Sequence, residues 1–362
     1  TDESKNIKSL ETINYLLSKN CKIIILSHLG RVKTEEDKKN ASLLPIKKSL
    51  ERLLNKPIKF ATDILSEETK NMALSLQSGE ILLLENTRFL DVPNKLESTL
   101  NDDVAKQIAS FGELFVFDAF AVAHRRHTTV VGIPAYLPSC LGFLAEKELS
   151  MLDITIKNPN KPFTVIMGGA KVDDKLKIIK SLLPKCDHLL VSGGIANSFL
   201  SALRLNVGSS LKTNDPNIIK ELVNLMLTYK EKFAFPLDAI VTTTYSNHPE
   251  MKNINEIDTN DVIKDIGTKT IKKYGTIIKE SNTIFMNGTM GIYEEKAFAN
   301  GTREILNILS TKKDQVVIGG GDTVGALNTL GFKNEFKNVS SGGGATLEYI
   351  ANGSLPGIDA IR

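Results

Sequence analysis

The chain has no tryptophan and only three cysteines among its 362 residues. Cys21, Cys140 and Cys186 are odd in number, widely spaced and form no CxxC pair. They suggest neither a disulfide framework nor a zinc site, and a reducing compartment, the cytoplasm, suits them best. Neither sign of charge is in excess: Lys and Arg total 45 against 42 Asp and Glu, a formal net charge of +3. A general nucleic-acid or membrane-surface role therefore lacks electrostatic support. No apolar run approaches the roughly 18 residues of a membrane span, and no signal-peptide pattern opens the chain. Walker A, GxGxxG and HExxH are all absent, which excludes a P-loop enzyme, a typical dinucleotide-binding enzyme and a zincin. No Ser-His-Asp order and no catalytic-cysteine setting stands out. Residue 1 is Thr and not Met, and TDESKNIKSLETINYLL reads as a capped helix, so an N-terminal segment is expected to be missing from this sequence.

What is present suits a folded globular protein. Hydrophobic residues make up 41% and charged ones 24%, enough for a core with an ordinary soluble surface. The length predicts two domains at about 100–200 residues each. Apolar, β-branched runs recur at 22–26, 80–84, 113–117, 163–167, 188–192, 239–243, 283–286 and 315–319, separated by segments of 3.6-residue period such as LLPIKKSLERLL. Short apolar runs suit strands buried on both faces, and alternation with helices predicts an α/β protein with mostly parallel sheets. GFLAEKELSMLDITI (142–156) reads as one helix, and NPNKP after it as a joint. The expected division is an N-terminal domain over 1–144, a helix and linker over 145–160, and a C-terminal domain over 161–345.

Ligands of open α/β sheets sit at the carboxyl ends of the strands. Three such ends in the first half are basic: His28 and Arg31 after KIIIL, Arg88 after EILLL, and His124, Arg125, Arg126 and His127 after ELFVF. Any one cluster is most simply a solvated surface. Three together in a nearly neutral chain describe a crevice for a small polyanion, with arginine forks matched to phosphate and carboxylate oxygens. In the second half, MGGAK, VSGG, VIGGG and VSSGGGA supply glycines, and the last three pass from a strand end straight into a probable helix. Glycine admits close backbone approach, and a helix N-terminus presents N–H groups to phosphate, so a nucleotide site is expected there. Lys171 and Lys175 are four residues apart and would share one face of a helix. Asp322, following Gly319–Gly321, is placed to bring Mg²⁺ to the phosphates, or to cap the helix, or both. No general base is visible; an acceptor that is already a carboxylate would need none, because its pKa of about 4 leaves it ionised.

SHLGR, LLLEN-x-RF, DAF-x-x-AHR-x-H, GGAKV-x-DK, GG-x-A-x-x-F, NG-x-MG-x-x-E, IGGGDT and GGGA-x-LE occur in this order along nearly the whole chain. Together they resemble the phosphoglycerate kinase family. The resemblance implies two Rossmann-like domains joined by a helix and closing by a hinge motion, with the tail, 346–362, returning to the N-terminal domain. It implies a cytoplasmic, monomeric kinase passing a phosphoryl group between ATP and the carboxylate of 3-phosphoglycerate, giving ADP and 1,3-bisphosphoglycerate, with Mg²⁺ carried on the nucleotide. His28, Arg31, Arg88 and Arg125 would then bind 3-phosphoglycerate. Lys171 and Lys175 would meet the transferred and nucleotide phosphates. Gly168, Gly169, Gly193, Gly194 and Gly267 would form the adenine pocket, with Glu294 on the ribose. Asn287, Gly320, Gly321 and Thr323 would sit at the phosphates, and Asp322 on the Mg²⁺-nucleotide. The amides of Gly342, Gly343 and Gly344 would face the moving group. The family's strand bearing an Asp and an Asn would precede residue 1, and Lys5, or Asn6 if the register slips by one, stands where the family has a catalytic arginine. Two other readings are weighed: a nucleotide-binding but catalytically impaired fragment, and an NAD-dependent dehydrogenase, which the missing GxGxxG disfavours.

Overall fold

The computed structural model describes residues 3–361. The chain divides into two compact units, one of residues 1–149 with 354–362, the other of 150–353.

The first unit is organised by the strand Ile81–Leu84, which pairs in parallel with Ile23–Ile25 on one side and Lys59–Ala61 on the other. All four of its side chains are buried, and their alternation feeds two cores. Leu82 and Leu84 pack with Ala73, Leu76, Val104 and Ile108 on one face. Ile81 and Leu83 pack with Ile13, Leu43 and Leu50 on the other. Each such side chain contributes roughly 1.5–3 kcal/mol by leaving water, which is why the run EILLL carries no polar alternation. The covering helices show matching local signals. Asp102–Ala109 starts where the Asn101 side chain accepts from the Val104 N–H, and its buried stripe is Val104, Ala105, Ile108 and Ala109. Leu44–Leu54 has proline in its first turn and ends at Asn55 in the left-handed region. A smaller parallel pair joins Phe115–Phe117 to Ser139–Leu141. At the far end of the chain, the Gly357 N–H donates to the Ala123 carbonyl.

The second unit holds a six-stranded parallel sheet. Its order is Asn338–Val339, Val316–Gly319, Thr283–Asn287, Phe163–Met167, His188–Val191 and Phe233–Ala234. Ile166, Leu190, Ile284, Met286 and Ile318 face Tyr274, Ile278, Ile305 and Leu309 in one core. Fully buried Tyr274 satisfies its hydroxyl by donating toward the Val191 and Ala234 carbonyls, at 2.6 and 2.9 Å.

All eight anticipated strands form, and Phe143–Ile156 is one helix. Three expectations change. Asp238–Thr243 joins no parallel sheet; it is the centre of an antiparallel one, between Ser246–Asn253 and Asp261–Ile266. Lys171 and Lys175 share no helix face, because the helix begins only at Leu176 and both lysines lie in the turn before it. The residues that group with the first unit begin at 354 and not 346, since Gly344–Asn352 is a helix of the second unit whose Ile350 carbonyl accepts from Ser181.

Candidate active site

In the first unit a buried pair sets the basic loops. Glu85 follows the central strand directly, and its carboxylate accepts from the Ser42 hydroxyl (2.7 Å), the Leu43 N–H (2.7 Å) and the Asn86 N–H (2.8 Å). Asn86 is fully buried, and its Nδ2 donates to the carbonyls of Leu29 and Ala41, both at 2.8 Å. Its Oδ1 accepts from the Arg88 N–H at 3.1 Å, and the Thr87 N–H donates to the Ser27 carbonyl at 3.0 Å. One amide side chain thus ties the loop of His28 and Arg31 to the short turn that carries Arg88.

Positive charge converges on this frame. The His28 pKa falls from 6.5 to about 4, through burial of the ring and then through the charges of Arg88, Lys5, Arg125 and His127. His28 is exposed in the fold, so the crowd of cations is the firmer of the two causes. Arg88 is half-buried, and its pKa is lowered by that burial and by Arg125 and Arg31, against the pull of Asp91 and Glu97. Its buried Nε has no hydrogen-bond partner, a donor left for a ligand. Arg31 and Arg125 are exposed. Behind them, buried Glu97 accepts from the Thr129 N–H and hydroxyl and lies 3.6 Å from His127 Nδ1.

In the second unit the parallel strands end on glycine. Phe163–Met167 runs into Gly168, whose N–H donates to the Asn287 carbonyl at 2.9 Å. His188–Val191 passes through Ser192 into the helix Gly193–Ala202, and a Cβ on Gly194 would stand 1.9 Å from the Ala170 carbonyl oxygen. Only glycine lets these loops touch. Val316–Gly319 leads through Gly320, at φ +94°, into the helix Gly321–Leu330, whose start no side chain caps. Asp322 therefore sits exposed in the first turn and is not the N-cap. The last junction starts the helix Gly344–Asn352 at Gly343, and the Gly342 N–H already donates to the Ser340 hydroxyl at 3.1 Å.

The remaining residues separate into exposed and buried sets. Lys171 and Glu294 are exposed. A cavity of about 330 Å³ opens beside Lys171, with Asp173, Lys212 and Thr213 on its wall. Lys175 Nζ donates to the Gly168 carbonyl at 2.9 Å. Asn287 is fully buried; its Nδ2 donates to the Gly319 carbonyl and its Oδ1 has no partner. A phosphate could use only the second Nδ2 hydrogen. Thr323 is buried too, donating to the Gly319 carbonyl and accepting from the Gly288 N–H, so it braces the loop. Gly267 leaves room for Asp238, which caps the next helix in its place by accepting from Lys269, Thr270 and the Thr270 hydroxyl. A narrow apolar cleft beside it is lined by Gly193, Ala196, Leu200, Ile254 and Met290. Sequence reasoning missed Asp238 and the Glu85–Asn86 clamp as supports of these loops; Glu85 and Asn86 directly follow the apolar run of a strand, whereas Asp238 opens one.

A cluster of basic residues at the strand ends of one α/β unit and glycine junctions that open helices in the other are compatible with a kinase. The phosphoglycerate kinase family model matches residues 1–353, and the chain belongs to that family. The phosphoglycerate kinase of Macrococcus caseolyticus is 40% identical over 364 residues, covering all of this chain and 91% of that one. That of Clostridium kluyveri is 40% identical over 369 residues, with the same coverage. Among solved structures, phosphoglycerate kinase from Coxiella burnetii superposes with a TM-score of 0.90 at 33% identity, over 100% of this chain and 91% of that one. The enzyme from Pyrococcus horikoshii gives 0.80 at 27% identity, over 98% and 90%.

Proposed function

We propose that the chain transfers a phosphoryl group reversibly between ATP and the carboxylate of 3-phosphoglycerate, binding the acid in the first unit and the Mg²⁺-nucleotide in the second. The observation that carries this reading is the company kept by His28. The charges of Lys5, Arg88, Arg125 and His127 all bear on one ring in a chain of net charge +3, a repulsion that a bound anion would relieve. Arg88 and Arg125 would fork onto the acid's phosphate and carboxylate oxygens, with His28 and Arg31 as further donors. Lys5 would supply charge at the reacting carboxylate, though without the planar fork of arginine.

On the nucleotide side, Gly168, Gly169, Gly193, Gly194 and Gly267 would line the base pocket, and Glu294 would accept from the ribose. Lys175 and the amides of Gly320 and Gly321 would hold the phosphates. Lys171 would follow the transferred group, and the amides of Gly343 and Gly344 would meet its developing charge. Asp322 fits Mg²⁺: it is an exposed carboxylate whose charge reaches Lys175, and magnesium commonly takes one or two carboxylates together with substrate phosphates. When bound, the ion would neutralise phosphate charge. The acceptor carboxylate is ionised at neutral pH, so this chain need only orient it, exclude water and stabilise charge. Hinge closure, a monomeric state and a cytoplasmic setting belong to the same reading. It is tested by a coupled assay for ADP release that depends on both ATP and 3-phosphoglycerate. Release without the acid would replace it with a plain nucleotidase.

A further inference from the structure

The loop after the strand Thr283–Asn287 runs from Gly288 to Glu294, the residue proposed for the ribose, and the hydroxyls of three fully buried residues fasten it. The Gly288 N–H donates to the Thr323 hydroxyl at 2.7 Å, and the Ser192 hydroxyl donates to the Thr289 carbonyl at 3.1 Å. The third is Thr302, in the first turn of the helix Asn300–Ser310. Its hydroxyl oxygen accepts from two successive amides, the Met290 N–H at 3.0 Å and the Gly291 N–H at 3.3 Å. Ser192 and Thr323 belong to glycine junctions proposed above for the nucleotide, whereas Thr302 comes from a helix with no role so far. The loop it holds lies close against another of those junctions: a Cβ on Gly288 would stand 2.0 Å from the Gly168 carbonyl oxygen. Buried Met290 lines the apolar cleft together with Gly193, and Glu294 stands exposed at the end of the loop.

We propose that Thr302 is a positioning residue of the nucleotide site, its hydroxyl holding the Gly288–Glu294 loop in the course that sets Met290 against the base and Glu294 toward the ribose. Buried N–H groups are almost always paired. Without the hydroxyl, the Met290 and Gly291 amides could find partners only by moving toward water, and the loop would gain a second course. A nucleotide would then bind the fraction of molecules still in the first course, and its apparent affinity would fall by that fraction. Thr323 and Ser192 would still hold Gly288 and Thr289, so the strand end and the phosphate junctions stay in place. The defect belongs to nucleotide binding and not to the chemical step.

The inference rests on the nucleotide reading proposed above, and its test separates the two. Calorimetric titration measures ADP with Mg²⁺ against the unaltered chain, Thr302→Val and Thr302→Ser, well below the unfolding midpoint of each. Valine keeps the volume and loses the hydroxyl; serine keeps the hydroxyl and loses the methyl. Thr302→Val is expected to weaken ADP binding about 5- to 30-fold, the scale of one or two lost hydrogen bonds, and Thr302→Ser to recover most of it. Steady-state kinetics should show the change in the KM for ATP, with kcat and the KM for 3-phosphoglycerate unmoved. A second measurement needs no variant: hydrogen exchange at the Met290 and Gly291 amides of the unaltered chain should slow when ADP and Mg²⁺ are added, and not when 3-phosphoglycerate is. Unchanged ADP affinity in Thr302→Val, or unchanged exchange at both amides, would overturn the inference alone. So would a serine variant as weak as the valine one, which would assign the contact to the methyl group, or a loss in kcat with the KM for ATP unmoved. An unaltered chain that binds no ADP would overturn the nucleotide reading and this inference with it.

Discussion

The ammonium of Lys175 rests on the carbonyl oxygen of Gly168, 2.9 Å away, in the loop that follows the strand Phe163–Met167. Burial there costs the charged form, and the pKa falls from 10.5 to about 8 even though Asp322 and Asp174 pull the other way. A phosphate arriving at Lys175 would restore its charge. A site whose pKa rises on binding takes up a proton, so ADP affinity should fall as pH climbs through about 8 and beyond. Titrations between about pH 7 and pH 9, in buffers of different ionisation heat, should show proton uptake, and Lys175→Arg should abolish it. No uptake would remove Lys175 from the phosphates.

Lys171 has a different environment. It is exposed at the mouth of a cavity. If its charge follows the phosphoryl group in flight, Lys171→Ala should cost kcat on the order of 10²-fold while ADP affinity changes little. Unchanged kcat with a raised KM for ATP would make it a ground-state ligand.

Arg88 carries an unpartnered buried Nε. Substituting Arg88 by Ala should weaken 3-phosphoglycerate binding about 10- to 100-fold, the scale of charge-assisted hydrogen bonds, and Arg88→Lys should recover only part of it. ADP affinity should be unaffected, since the residues proposed for the nucleotide lie in the other unit. Separate titrations of each ligand decide this, and a loss confined to ADP would overturn the assignment of ligands to units.

Asn86 braces the loops of the proposed acid site. Asn86→Ala strands the carbonyls of Leu29 and Ala41 and frees the Arg88 N–H, a cost of about 1–3 kcal/mol per buried group left unpaired. Denaturant unfolding should register that loss, and 3-phosphoglycerate affinity should drop with it as the His28 loop loosens. Full stability in the variant would mean that water replaces the amide.

How much of this the sequence discloses depends on burial. Ile81–Leu84 and Phe163–Met167 are buried along their whole length, so apolar runs announced them. Ser246–Asn253 is exposed almost throughout and is held by backbone pairing with Asp238–Thr243, which leaves no apolar signature. That hidden partner is why 239–243 read as one more parallel strand. The basic residues were legible because strand ends are where α/β sheets bind ligands. The clamp was not: Glu85 has the look of a solvated carboxylate, and only the fold brings Ser42 and Leu43 to it. Lys171 and Lys175 misled by spacing alone, because the intervening Val172, Asp173 and Asp174 form a turn closed by the Lys175 N–H on the Val172 carbonyl.

Asp265 links stability to pH in the second unit. It is buried and accepts from the N–H groups of Gly301 (2.6 Å) and Ile266 (2.8 Å). Burial lifts its pKa from 3.8 to about 7, against those two hydrogen bonds. In the unfolded chain the group loses its proton near its ordinary value, whereas the folded chain keeps it until near neutrality. The folded state thus binds more protons across that window, and stability must fall as pH rises from about 4 to about 7. Asp265→Asn, which cannot titrate, should flatten the unfolding free energy over this range, with the largest deficit against the unaltered chain at the acid end. The fit is also steric: a Cβ on Gly301 would lie 2.2 Å from Asp265 Oδ1 and one on Gly291 2.3 Å from it. Gly301→Ala should therefore destabilise by about 1–3 kcal/mol at every pH, since overpacking does not depend on charge. Denaturant unfolding of both variants across the window separates the two effects. An unaltered chain with a level profile between about pH 4 and pH 7 would mean that Asp265 is ionised in the fold, its two amide donors outweighing its burial.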